Sequence, residues 1–185
     1  LVATVMAAST AAAQDYPAKS VRIIVPFTPG GGNDIVARFL GKYMTEMYKQ
    51  QHIVDNRPGA GTIIGVEMLT KSPPDGYTLM LGYIATHAMN PALQKLRYDP
   101  VKDFEPVAMV GSSATVMVAN PAVKASNAKE LVALLKAAPD KTSYASAGNG
   151  TAPHFAAEMF KLSTGTSMLH VPYKGSAPAI TDTIG

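Results

Sequence analysis

"SVRIIVPFTPGGGNDIVARFL", residues 20 to 40, joins a β-branched apolar run to three consecutive glycines and then to apolar residues at helical spacing. The run 20–27 alternates and is rich in Val and Ile, the pattern of a strand. Beyond the glycines, Ile35, Val36, Phe39, Leu40, Tyr43, Met44 and Met47 recur at a helical period, which predicts an amphipathic helix burying that face. A strand feeding a helix through a glycine turn is half of a parallel α/β unit. The helix N-terminus so formed attracts anions.

The same rhythm continues along the chain. Residues 52–56, "HIVDN", read as a second strand, and a second helix is expected over about 62–71 before the Pro-Pro-Asp-Gly stop. "YTLMLGY" (77–83) is a nearly continuous apolar run, as in a strand covered on both faces. The rhythm then changes. Two apolar strands, 107–110 and 115–119, follow with no full helix between them, which marks a crossing into a second lobe. Helix 127–138, strand 142–148, helix 153–162, strand 167–173 and a helix starting in "APAITDTIG" complete the pattern. The expected organisation is a signal-peptide remnant over 1–13, a first lobe over 14–112 and a second, unfinished lobe over 113–185, with its last helix cut at Gly185.

Composition narrows the function classes. Lys and Arg number 16 against 13 Asp and Glu, a net charge of +3 with no basic run. Tryptophan is absent and no basic patch is interleaved with aromatics, which argues against nucleic-acid binding. With no cysteine there is neither a disulfide framework nor a thiol nucleophile. "LVATVMAASTAAAQDYP" is small and apolar up to Ala13 and turns polar at Gln14, the pattern of a secretory segment with an Ala-x-Ala cleavage site. A buried N-terminal helix is the competing reading. No run reaches the roughly 20 apolar residues of a membrane span.

The glycine loops are the strongest functional signal. Gly30-Gly31-Gly32 lacks the lysine of a P-loop and the spacing of a dinucleotide fingerprint, so nucleotides are disfavoured. "SAGNGTAPHF" (146–155) repeats the arrangement, with Gly148 and Gly150 between a strand and a helix. Backbone N–H groups at Gly31, Gly32, Gly150 and Thr151 are therefore candidate carboxylate donors. Each loop alone is equally a tight βα turn. Catalytic motifs are thin. His154 and Glu158 are four apart without a third zinc ligand, and no Gly-x-Ser-x-Gly elbow occurs. Lys174 offers a Schiff-base amine, though in a glycine-flanked turn.

"VPFTPGGGNDIVAR", "NRPGAGTIIG", "PDGYTLMLG", "NPALQKLRYDPVKDFEPVA", "YASAGNGTAPHF" and "HVPYKGSAPAITD" occur in this order. With these motifs the chain resembles the Bug-type (TctC) solute-binding receptors of tripartite tricarboxylate transporters from Tyr16 onward. The resemblance implies an α/β type II periplasmic binding-protein fold, two lobes closing on a small carboxylate, with the C-terminal part of the family absent. It implies a non-enzymatic receptor, a membrane permease as partner, no cofactor or metal, and a periplasmic location; the full-length protein is expected to be a monomer. A ligand sensor and an enzyme acting on a small carboxylic acid are the alternatives. The implied ligand-binding residues are Phe27, Thr28, Gly31, Gly32 and Asp34 in the first loop, and Ser146, Gly148, Gly150, Thr151 and His154 in the second. Thr86, Ser176 and Ala177 are implied cleft neighbours. Thr62 departs from the family, which usually has glycine there; it reads as a modest change outside the binding loops.

Overall fold

A computed structural model describes residues 15–185; the expected cleavage site lies outside them. The glycine-turn reading holds. Strand β1 (Val21–Val25) enters helix α1 (Gly32–Tyr48), followed by β2 (His52–Asn56), a 3₁₀ turn (Ala60–Thr62), α2 (Ile63–Thr70) and β3 (Thr78–Met80). These strands form a parallel sheet in the order β2-β1-β3, with Val21 opposite His52 and Arg22 opposite Thr78. A π-helical turn (Ala85–Met89) leads into the short α3 (Asn90–Leu93). After a long irregular stretch come α4 (Ala128–Ala137), β4 (Ser143–Ser146), α5 (Ala152–Thr164), β5 (Leu169–Pro172) and α6 (Ser176–Ile184). Strands β4 and β5 pair in parallel as a separate sheet.

Each sheet has a core. Ile23, Val25, Phe27 and Ala37 cluster around the first, with Val54, Leu81 and Tyr83 packed against them. Leu131, Leu135 and Met168 form the second, flanked by Tyr144 and Phe160. Ala147, just after β4, joins the first cluster and so ties the two units together.

Three expectations are corrected. The apolar face of α1 is turned outward: Phe39 is 72% exposed and Ile35 61%, while Ala37 is fully buried. The face that meets the sheet is Asp34, Ala37 and Gly41. A Cβ on Gly41 would stand 3.1 Å from the His52 carbonyl oxygen and 3.6 Å from Ile23, so small residues set how closely the helix approaches. The residues at 107–110 and 115–119 form no strands. A strand needs a ladder partner for its N–H and C=O groups, and no described segment supplies one; Met109 is accordingly 90% exposed. Strand β3 is shorter than its apolar run and half-buried rather than covered on both faces.

Candidate functional site

A cavity of about 380 Å³ lies where the two units meet. Its walls come from Phe27 after β1, the 59–63 turn, Asn90 and Leu93 of α3, the 147–150 loop after β4, and residues 172–174 after β5. Among these walls Lys174 is the one ionisable cation, and no Asp or Glu lines the space. The rest is backbone amide, amide side chain, the hydroxyl-bearing Thr62 and Tyr173, and apolar surface. Such a lining suits an anion.

Positive φ angles shape the walls. Gly61, Gly148 and Gly150 have φ of 59°, 126° and 74°. Gly61 backs onto Asn149, and Gly150 onto the Asn90 side chain, so closely that a Cβ on either would overlap its neighbour. Thr62 also takes a positive φ, 90°, uncommon for a β-branched residue. The sequence reading put this residue outside the site. It stands in the cavity wall, in a conformation that glycine adopts without strain.

Of the residues expected to bind ligand, Phe27, Gly148 and Gly150 line the cavity. Phe27 is buried and meets Tyr83 edge-on at 5.4 Å. The rest of the first glycine loop lies alongside. Asp34 is buried, its carboxylate accepting from Gly30 N–H (2.9 Å), Arg38 Nε (2.9 Å) and Asn56 Nδ2 (2.9 Å). Burial pushes its pKa up, but the bonds from Arg38, the Gly30 amide and Asn56 outweigh it and hold the carboxyl below its ordinary value. This acid latches the loop. Gly31 caps α1 with no side-chain bond and stands near Ser176, while Gly32 is open to solvent. Ala177 packs on Gly30, and Thr28 N–H donates to the Lys174 carbonyl at 3.2 Å.

The second loop is held from behind. Ser146 Oγ is 2.7 Å from His170 Nε2 and accepts from Gly148 N–H at 3.1 Å. Thr151 Oγ1 donates to the Gly148 carbonyl at 2.6 Å. Gly150 N–H donates to His154 Nδ1 at 3.2 Å, so that amide is already engaged. His170 is stacked between Tyr144 (4.7 Å) and His154 (4.4 Å). Burial and the neighbouring His154 lower its pKa. Glu158 pairs with Lys161 at 2.8 Å and accepts from Tyr144 Oη at 2.6 Å. No metal cluster occurs among the described residues. Thr86, fully buried, donates to the Tyr83 carbonyl at 2.6 Å and supports that turn rather than lining the cavity.

Sequence reasoning missed Asn90 and Gly61, while Asn149 lies inside the expected loop 146–154. Asn90 Nδ2 donates to the Gly61 carbonyl at 2.7 Å and to Thr62 Oγ1 at 3.3 Å, tying α3 to the 3₁₀ turn. The available signal was the second glycine of "PGAG" and an Asn opening a helix just before Pro91.

Comparison with known proteins agrees with this architecture. The family model "Tripartite tricarboxylate transporter family receptor" matches residues 36–185. Protein BugT of Bordetella pertussis is 39% identical over the whole chain, which covers 57% of BugT. A solved structure described as a periplasmic transporter is 44% identical with a TM-score of 0.88, over 91% of this chain and 57% of that one. MatC from Rhodopseudomonas palustris with bound malate is 29% identical with a TM-score of 0.86, over the same shares. Rpa4515 of R. palustris, solved with adipate, is 31% identical with a TM-score of 0.81. The chain thus spans a little over half the length of these relatives. Its two parallel sheets, glycine loops and matched segments agree on one conclusion: the chain belongs to the TctC family of tripartite tricarboxylate transporter receptors.

Proposed function

We propose that the protein is a periplasmic receptor that closes two lobes, 14–112 and 113–185 in this chain, on a small carboxylate and delivers it to the permease of a tripartite tricarboxylate transporter. The observation that carries this reading is the cavity between the sheets, walled by glycine backbone and amides with Lys174 as its cation and no acidic side chain. Hydrogen bonds to a charged group contribute about 1.5–3 kcal/mol each. A micromolar complex, roughly 8 kcal/mol, would take about four to six of them, less the cost of association. That suffices for capture and release. The malate and adipate carried by the two R. palustris relatives support a carboxylate ligand. Export through the segment 1–13 follows from the same reading.

The test is calorimetry of the full gene product against mono-, di- and tricarboxylates, with product analysis after incubation. Saturable binding with the carboxylate recovered intact is expected. Consumption of the ligand would point to an enzyme, and no binding across the panel would refute the receptor reading. Co-purification with the permease tests delivery and separates transport from sensing.

A further inference from the structure

Among the described residues, two buried side-chain oxygens lack a hydrogen-bond partner: Thr28 Oγ1 and Asn90 Oδ1. Such atoms are rare in folded proteins and costly to keep. These two share a setting. Each belongs to the unit built on β1–β3, and each is covered by a glycine of the unit built on β4 and β5. Gly175 lies against Thr28 Oγ1, and Gly150 against Asn90 Oδ1. Asn90 is not free to turn its oxygen away at no cost, because Nδ2 of the same amide is bound to the Gly61 carbonyl, and the Thr28 backbone is tied to the second unit through its N–H bond to the Lys174 carbonyl. Each oxygen is therefore shielded at the junction without a hydrogen-bond partner among the described residues.

We propose that these two oxygens act as a desolvation brake on closure. Bringing the units together strips their water, so the empty protein favours an open cleft and the ligand's own contacts supply the difference. The proposal rests on the receptor reading above. An unmade hydrogen bond of this kind lowers the closed-to-open ratio by about five- to hundredfold per oxygen. A ligand shifts such an equilibrium only by its differential affinity for the two states. The brake thus keeps the unliganded protein from adopting its loaded shape. Thr28 is the discriminating position. If its hydroxyl held the ligand, removing it would weaken closure; as a brake, removing it strengthens closure.

Residues 1–185 contain no cysteine, so Lys42→Cys on α1 and Lys136→Cys on α4 give the two spin-label sites, any cysteine elsewhere in the full gene product being replaced by serine. The distance distribution is measured without ligand. The labelled parent should be mainly open, and Thr28→Val should raise its closed-to-open ratio about five- to hundredfold. Thr28→Ala should shift it in the same direction, and Thr28→Ser, which keeps the hydroxyl, should match the parent. Gly175→Ala, whose Cβ would meet Thr28 Oγ1, should remove the short distance. A parent already closed without ligand overturns the proposal, as does an unchanged or smaller closed fraction in both Thr28→Val and Thr28→Ala. The receptor reading fails differently: neither malate, adipate nor any other carboxylate in the panel would then shorten the parent's distance.

Discussion

Replacing Asp34 by Ala should destabilise the first glycine loop and the sheet behind it. Asp34 is 3% exposed, and its carboxylate receives bonds from the Gly30 amide, Arg38 and Asn56, each at 2.9 Å. Arg38 is half-exposed and can turn to water, so its share is at most about 1 kcal/mol. The Asn56 and Gly30 bonds to a charged acceptor contribute about 1.5–3 kcal/mol each, reduced at Gly30 by solvent. Asn56 Nδ2 also donates to the Phe27 carbonyl at 3.0 Å, so losing Asp34 loosens the cavity wall as well. The sum is about 3 kcal/mol. With a urea slope of about 2 kcal/mol/M, the unfolding midpoint should fall by about 1.5 M. Circular dichroism during urea titration reads this directly, and a shift below about 0.25 M would refute the latch. The carboxyl's folded pKa lies below its ordinary 3.8, so its contribution is present above that value and lost as pH falls through the folded one.

Three further outcomes are expected. Gly150→Ala, at φ 74° against the Asn90 oxygen, should weaken carboxylate binding at least about tenfold in calorimetry with the fold intact by circular dichroism; unchanged affinity would mean that the 150 turn does not close on the ligand. The His170 pKa is lowered below 6.5 by burial and His154, so stability should be complete above that pH and decline as pH drops below it, while a His170→Gln variant should lose this slope in urea titrations at pH 5 to 7.5. Thr62→Gly should relieve a left-handed β-branched residue and stabilise by about 1 kcal/mol, less the weak bond from Asn90; a clear loss of stability would show that bond to dominate.

The alternation of strand, glycine turn and helix was legible because each step has a local cause: Val and Ile favour the pleat, glycine the positive φ, and helical spacing the next element. The orientation of α1 was not. Its large apolar side chains suggest a core face, yet Ala37 and Gly41 meet the sheet, where even a Cβ on Gly41 would come within 3.1 Å of the His52 carbonyl oxygen. Apolarity also misled at 107–119, where strand propensity has no partner strand to act on among the described residues. Within the site, the glycines pointed to the loops but not to their division of labour. Gly150 N–H is bound to His154, and Asp34 is spent on its own loop, both consequences of side chains meeting at contacts that spacing alone does not reveal. Asn90 escaped notice because its role depends on Gly61 and Gly150, which come from distant parts of the chain.

The strand order β2-β1-β3 has a consequence for how the chain assembles during synthesis. The central strand is the first to emerge, and its neighbours come later: Val21 waits for His52, and Arg22 for Thr78. Until residue 80 is available, at least one edge of the most apolar strand stays unpaired. An exposed apolar edge is a template for wrong pairing. Long-range parallel pairing is also intrinsically slow. The apolar strand is therefore made before either of its partners, so holding VRIIV extended and covered until the third strand arrives is the step at which a chaperone has most to offer.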